Sequence, residues 1–90
     1  MKKHVEIRIY GKVQKVFFRS SAAKKAHELI LTGLAENLPD GSVHIEAEGE
    51  EERLKELLKW CWTGSFRAEV QRVSFNFSDG LKDFKDFSTI

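Results

Sequence analysis

The order in which hydrophobic patterns change along the chain constrains its fold more than any other feature. Residues 5–10 alternate apolar and polar side chains, which predicts a strand with one buried face. Residues 20–31 instead space their apolar side chains as an amphipathic helix does. Ser20 or Ser21 is expected to cap the first turn of this helix, and Gly33 to close its end.

The rest of the chain repeats this change from strand to helix and back. Residues 34–48 predict a hairpin that turns at residues 39–41, because proline, aspartate and glycine together form a strong turn signal. A second helix, which Gly64 ends, carries an apolar stripe at Leu54, Leu57, Leu58 and Cys61. Residues 73–77 predict another strand, and residues 83–90 can add a short edge strand.

The resulting element order is β-α-β-β-α-β. Each β-α-β half needs a right-handed crossover, which places both helices on the same face of one antiparallel sheet. This predicts an α+β protein with the ferredoxin-like α/β sandwich fold. Ninety residues are enough for one such domain, and no linker divides the chain, so we expect a single domain over residues 1–90.

Composition narrows the possible partners and the compartment. The formal net charge is +1, from 15 basic and 14 acidic residues, so nothing calls for a nucleic-acid or membrane partner. A single cysteine, Cys61, allows no internal disulfide and favours a reducing compartment. We expect a cytoplasmic monomer in which Cys61 is a buried structural thiol.

The segment "GKVQKVFFRS", residues 11–20, joins the first strand to the first helix. Such a loop presents several backbone N–H groups in one direction, and the start of the helix adds partial positive charge. Arg19 offers a planar fork of donors for phosphate or carboxylate oxygens, and Lys12 and Lys15 add positive charge. By itself the pattern fits either an oxyanion site or a plain connection, and Arg19 either a ligand-binding residue or a surface ion-pair partner.

Two motifs give the loop a more specific meaning. Residues 11–19 resemble the acylphosphatase signature Gly-x-Val-Gln-Gly-Val-x-Phe-Arg, and Gly33 together with residues 37–43, "NLPDGSV", resembles the second signature of that family. The resemblance extends over essentially the whole chain. It implies hydrolysis of acyl phosphates, the mixed anhydrides of a carboxylic acid and phosphoric acid, without a metal or another cofactor.

The resemblance also implies roles for individual residues. Arg19 would bind the phosphoryl oxygens, and Asn37 would orient the attacking water through its side-chain amide. Backbone N–H groups of the loop would complete the phosphate site, at Gln14, Lys15, Val16, Phe17, Phe18 and Arg19. The chemistry is coherent because phosphoryl transfer depends chiefly on positioning and on stabilisation of oxygen charge. A small acyl phosphate is therefore the expected partner.

Lys15 departs from the family pattern, which has glycine at that position. If the position is left-handed, lysine costs roughly 1–2 kcal/mol more than glycine. The strain could displace an N–H donor, while the ammonium could compensate by approaching the phosphate. The alternative to an active hydrolase is therefore a catalytically impaired domain that binds anions or partners.

The remaining candidate residues do not indicate another function. An RNA-binding module is disfavoured, because the predicted central strand "VHIEAEG", residues 43–49, is acidic and has no aromatic side chains for base stacking. The three histidines are scattered and predict no metal site. Trp60 and Trp62 fall beside the apolar stripe, and we expect at least one of them to be partly exposed. Packing against the neighbouring loop is favoured there over contact with a partner.

Overall fold

The computed structural model describes every residue from Met1 to Ile90. It contains five strands and two helices. The predicted element order is confirmed, and the chain adds one short strand at its end. The elements are β1 (Lys2–Lys12), α1 (Phe18–Glu28), β2 (Thr32–Asn37), β3 (Val43–Glu50), α2 (Glu51–Thr63), β4 (Glu69–Ser78) and β5 (Phe87–Thr89).

The five strands form one sheet in the order β4-β1-β3-β2-β5, and both helices pack on one face of it. The predicted fold class is confirmed. The sheet is antiparallel at every pair except β2 and β5, which run parallel, so the sheet is mixed rather than purely antiparallel. The tail reaches this position because Gly33 donates a backbone hydrogen bond to Asp86 and Ile90 donates one to Ala35, each of 2.9 Å.

The core lies between the sheet and the two helices. Val5, Ile7 and Ile9 of β1 are fully or almost fully buried, as their alternation with polar residues predicts. The predicted apolar stripe of α2 is buried against them, at Leu54, Leu57, Leu58 and Cys61. Burial of these side chains supplies most of the driving force that holds the helices to the sheet. Neither helix is long and apolar enough to cross a membrane.

The start of α1 differs from the prediction. The helix begins at Phe18 rather than near Ser20, and its N-cap residue is Phe17 in the left-handed conformation (φ 60°, ψ 27°). Neither predicted serine caps the helix, because no side chain bonds its first N–H groups. Ser20 Oγ instead donates a hydrogen bond to the carbonyl oxygen of Phe17, at 3.2 Å. The first turn therefore keeps its N–H groups available.

The end of α1 also differs from the prediction. Ile30 adopts a left-handed conformation (φ 58°), and the N–H of Leu31 donates to the carbonyl oxygen of Ala26 at 2.9 Å. These are the features of a Schellman motif, formed here without glycine. Gly33 lies within β2, where an added β-carbon would collide with the carbonyl oxygen of Glu46 on β3. The role of Gly33 is thus close strand packing and not helix termination.

The sheet face opposite the helices carries a buried polar cluster. His4 Nδ1 lies 2.6 Å from Glu48 Oε2, and both side chains are almost fully buried. The residues after β4 cover this pair, since Glu48 accepts hydrogen bonds from the backbone N–H groups of Lys82 and Asp83. This carboxylate therefore anchors the segment that leads to β5.

Candidate active site

A cleft of about 370 Å³ lies where the loop after β1, the start of α1 and the ends of β2 and β5 meet. It brings together the two predicted catalytic residues, Arg19 and Asn37. These residues are 18 positions apart in sequence and meet because β1 and β2 are the strands on either side of β3. The cleft is lined by Val13, Lys15, Phe17, Phe18, Arg19, Ser20, Asn37 and Thr89.

The loop backbone forms a concave row of donors. Lys15 (φ 64°) and Phe17 (φ 60°) are both left-handed, whereas Val16 between them is not. Alternating conformations of this kind turn successive N–H groups toward a common point and form an anion-binding nest. None of the backbone N–H groups of residues 13–17 donates a hydrogen bond within the chain. These groups are therefore free to bind the oxygen atoms of a ligand.

Buried side chains hold the loop in this conformation. Val13, Val16 and Phe18 insert into the core, while Lys15 is exposed between them. The ring of Phe18 packs against Trp60 with a centroid separation of 5.3 Å, so this tryptophan contacts the first residue of α1. Trp62 is 54% exposed.

Two polar side chains brace the same loop from outside. Ser65 Oγ donates a 2.6 Å hydrogen bond to the carbonyl oxygen of Val16. Gln14 Nε2 donates to the carbonyl oxygens of Leu38 and Ser42, at 2.8 and 2.9 Å. Because Leu38 follows the last residue of β2, the amide of Gln14 ties the loop directly to the strand that carries Asn37.

Arg19 is the second residue of α1, and its guanidinium reaches the tail of the chain. Arg19 Nη1 donates a 2.5 Å hydrogen bond to the main-chain oxygen of Ile90. It pairs with no carboxylate side chain, unlike an ordinary surface ion-pair partner. The other N–H groups of the guanidinium make no hydrogen bond within the chain, so they remain available to an oxyanion in the cleft.

Asn37 ends β2 opposite Val43 of β3. Its side-chain amide lines the cleft and makes no hydrogen bond within the chain. The preceding residue, Glu36, lies 3.7 Å from His44 Nδ1 on the far face of the sheet, as strand alternation predicts. The carboxylate of Glu36 therefore lies on the opposite face of the sheet and does not interfere with an anion bound beside Asn37.

The sequence motifs predict some of the residues that line this cleft and not others. Lys15, Phe17, Phe18, Arg19 and Asn37 all line it, whereas the hydrogen-bonded side chain of Gln14 and the buried side chain of Val16 support the loop from behind. The additional lining residues are Val13, Ser20 and Thr89. Val13 and Ser20 flank the predicted residues, but no local signal marks Thr89, whose place depends on the long-range pairing of β5 with β2.

The other polar side chains offer no competing metal centre. No group of three His, Cys, Asp or Glu side chains is arranged to hold a metal ion. Cys61 is buried in α2, and burial raises the pKa of its thiol to about 12. A thiol that stays protonated at neutral pH is a poor nucleophile, as expected of a structural cysteine.

The fold and the cleft together define a small α+β protein in which unpaired backbone N–H groups lie beside an arginine and a free asparagine amide. The family model "Acylphosphatase" matches residues 5–89. An acylphosphatase of Marinobacter nauticus is 48% identical over 81 residues, which cover 90% of this chain and 88% of the relative.

Solved structures agree with this match. Acylphosphatase from Bacillus subtilis has a TM-score of 0.96 at 32% identity, with 98% of each chain covered. An acylphosphatase from Coxiella burnetii has a TM-score of 0.94 at 38% identity, covering 99% of this chain and 93% of the other. This chain therefore belongs to the acylphosphatase family of enzymes.

Proposed function

We propose that this protein hydrolyses acyl phosphates to a carboxylate and inorganic phosphate. The observation that carries the proposal is the meeting of Arg19 and Asn37 in one cleft, beside a loop whose N–H groups are unpaired. These groups supply the two requirements of phosphoryl transfer, namely stabilisation of oxygen charge and a positioned nucleophile.

The phosphoryl group occupies the concave side of the loop. The free N–H groups between Gln14 and Phe18 donate to its non-bridging oxygens, and the guanidinium of Arg19 neutralises part of their charge. The partial positive charge at the start of α1 acts in the same direction. Arg19 has to give up its contact with Ile90, or share it, when it engages the substrate.

Asn37 holds the attacking water. An amide is not a base near neutral pH, but it can accept one hydrogen bond from the water and donate another. The water oxygen forms a bond to phosphorus as the bond from phosphorus to the acyl oxygen breaks, and the carboxylate leaves with that electron pair. A carboxylate is a good leaving group, so no general acid is needed, and the proton of the water passes to the phosphate of the substrate.

We also propose that the reaction is independent of metal ions and that the protein is a cytoplasmic monomer. The reaction needs no metal, because the loop and Arg19 stabilise the charge that a metal ion would otherwise neutralise. The partner is a small acyl phosphate and neither a nucleic acid nor a membrane, and the protein acts as a monomer in the cytoplasm. A single thiol without a disulfide partner suits that compartment.

Hydrolysis of benzoyl phosphate, followed by its ultraviolet absorbance in the presence of EDTA, tests the proposal. The natural chain should turn the substrate over well above background. Arg19→Ala and Asn37→Ala should each lower kcat/KM by about 100-fold or more. Arg67→Ala and Asn76→Ala are matched controls at exposed positions outside the cleft and should change little. Absence of turnover, or full activity of either cleft variant, contradicts the proposal.

One observation favours a second candidate function. Lys15 stands in a left-handed conformation, where the family has glycine and where an L-residue is strained. A strained loop could bind phosphate without productive turnover, which would make the protein an impaired relative that binds anions or partners.

A further inference from the structure

We propose that Lys15 makes the cleft selective for acyl phosphates whose acyl group carries a second negative charge, a carboxylate. This inference rests on the proposed hydrolysis and concerns the other end of the same substrate. It starts from the one residue inside the loop at which this chain departs from the family signature.

The charges of the cleft motivate the inference. Two of its lining residues, Lys15 and Arg19, are cationic, and no carboxylate lines it. Lys15 makes no ion pair and no hydrogen bond through its side chain within the chain. Neither cation pairs with a carboxylate side chain, and two cations in one cleft favour a ligand with more than one anionic group.

The phosphoryl group does not require the ammonium of Lys15. The unpaired backbone N–H groups of residues 13–17 and the guanidinium of Arg19 already provide enough donors for its three non-bridging oxygens. Lys15 is exposed, and its flexible four-carbon stem lets its charge move at the mouth of the cleft. The acyl group has to point toward that mouth, because the phosphoryl group faces the backbone and the carboxylate must leave.

Phe17 supplies a surface for the body of the acyl group. Its side chain is 82% exposed although it lines the cleft, two residues after Lys15. An exposed aromatic ring beside a cation suits a planar or apolar acyl group that ends in an anion. The cleft is thus chemically matched to an acyl phosphate of a dicarboxylic acid, with one carboxyl group phosphorylated and the other free.

Three synthetic substrates test the inference: benzoyl phosphate, 4-carboxybenzoyl phosphate and 4-carbamoylbenzoyl phosphate, whose carbamoyl group is uncharged. The rigid ring prevents the free carboxylate from attacking its own anhydride. The quantity compared is the ratio of kcat/KM for the carboxy substrate to that for the carbamoyl substrate, measured in the natural chain and in variants. Differences in intrinsic reactivity, and any general change in rate, cancel when this ratio is compared between proteins.

The ratio should fall by about fivefold in Lys15→Gln, as for removal of one partly exposed ion pair, and further in Lys15→Glu. It should also fall with rising salt concentration, more steeply in the natural chain than in Lys15→Gln, which keeps only the charge of Arg19 in the cleft. Lys24→Gln removes the same charge from the exposed surface of α1 and should leave the ratio unchanged.

The possible failures are distinguishable. A ratio that is the same in the natural chain and both Lys15 variants overturns the inference, even though hydrolysis itself stands. Equal losses of kcat/KM on all three substrates would mean that Lys15 acts on the phosphoryl group, and this result also overturns the inference. If none of the three substrates is hydrolysed, the proposed function fails, and the inference fails with it.

Discussion

Gln14 Nε2 donates a 2.9 Å hydrogen bond to the carbonyl oxygen of Ser42, across 28 residues of sequence. The same nitrogen donates to Leu38, so one side chain joins the loop between β1 and α1 to the turn between β2 and β3. The loop and Asn37 belong to different elements, and this amide is the direct polar link between their two segments.

Replacement of Gln14 should therefore lower activity by changing the position of the loop relative to Asn37. Gln14→Met keeps the size of the side chain and removes both hydrogen bonds, at a cost of about 1–3 kcal/mol in the free energy of unfolding. A loop shifted by about 1 Å relative to Asn37 should lower kcat/KM for benzoyl phosphate by about 100-fold. Urea denaturation and steady-state kinetics measure the two effects. Gln71→Met, at an exposed position of β4, is the matched control, and equal behaviour of the two variants would contradict this role of Gln14.

Lys15→Gly should stabilise the protein. The natural lysine has φ 64°, which costs an L-residue roughly 1–2 kcal/mol, although glycine gains freedom in the unfolded chain. We expect the free energy of unfolding to rise by about 1 kcal/mol, measured by urea denaturation. Lys24→Gly, in the middle of α1, should show the opposite sign, since glycine lowers helix stability by about 1 kcal/mol.

The activity of Lys15→Gly separates the two candidate functions. A rise of about 100-fold in kcat/KM for benzoyl phosphate would mean that lysine displaces a donor in the natural loop, and would favour the impaired relative. Activity that does not rise would show that the loop tolerates lysine and would remove the main argument for impairment.

Glu48 should make stability depend on pH in the acidic range. Burial by itself raises the pKa of this carboxyl, but the N–H groups of Lys82 and Asp83 and the side chain of His4 together hold the pKa below its usual value of 4.5. The folded state thus binds fewer protons than the unfolded state between the two pKa values. The free energy of unfolding therefore falls as pH drops below about 4.5 and through the folded-state pKa.

Glu48→Gln tests this linkage. At neutral pH the variant should be less stable by about 2 kcal/mol, because hydrogen bonds to a charged acceptor are stronger than those to a neutral one. The difference from the natural chain should shrink as pH falls through the same acidic window. Glu56→Gln, on the exposed side of α2, is the control. A difference that stays constant with pH would mean that the charge of Glu48 is not responsible.

The pKa of Cys61, raised to about 12 by burial, predicts a thiol that is unreactive in the native protein. Labelling with a thiol-specific disulfide reagent at about pH 8 should be limited by unfolding and should become immediate in strong denaturant. Fast stoichiometric labelling under native conditions would show that the thiol is accessible and would overturn the structural role assigned to it.

The sequence correctly predicts elements whose positions depend on local periodicity. It does not predict features that depend on contacts between distant residues. The apolar stripe of α2 and the alternation of β1 predict these elements correctly because each has a strong period of its own. The start of α1 was misplaced because a left-handed Phe17 is held by the packing of neighbouring residues and not by a capping side chain. The parallel pairing of β5 involves three residues, which is too short a segment to carry a signal of its direction.

The same distinction applies to the site. Arg19 and Asn37 were predicted because their motifs match a known family pattern, and the structure places both in one cleft. The supporting hydrogen bonds of Gln14 and Ser65 were missed, because each joins segments at least 24 residues apart. A bracing side chain leaves no periodic signal, so only the folded chain reveals it.

Gly64 tests whether packing behind the loop controls the site. It adopts φ 71° and ψ −161°, a region essentially restricted to glycine, and an added β-carbon would stand 2.6 Å from Phe18 Cε2. Gly64→Ala should therefore combine backbone strain with displacement of Phe18 and lower the free energy of unfolding by about 2–4 kcal/mol. Because Phe18 begins α1 beside the cleft, kcat/KM for benzoyl phosphate should fall as well.

Substitutions of two other glycines separate the effect of backbone strain from the effect of displacing Phe18. Gly41 also has positive φ (93°), but nothing lies within 4 Å of an added β-carbon, so Gly41→Ala should lose stability through strain alone. Gly80 has neither constraint, and Gly80→Ala should change nothing. Stability falling in the order Gly80→Ala, Gly41→Ala, Gly64→Ala, with activity lost only in the last, would link loop geometry to catalysis. Equal activity in all three would show that the position of Phe18 does not govern the cleft.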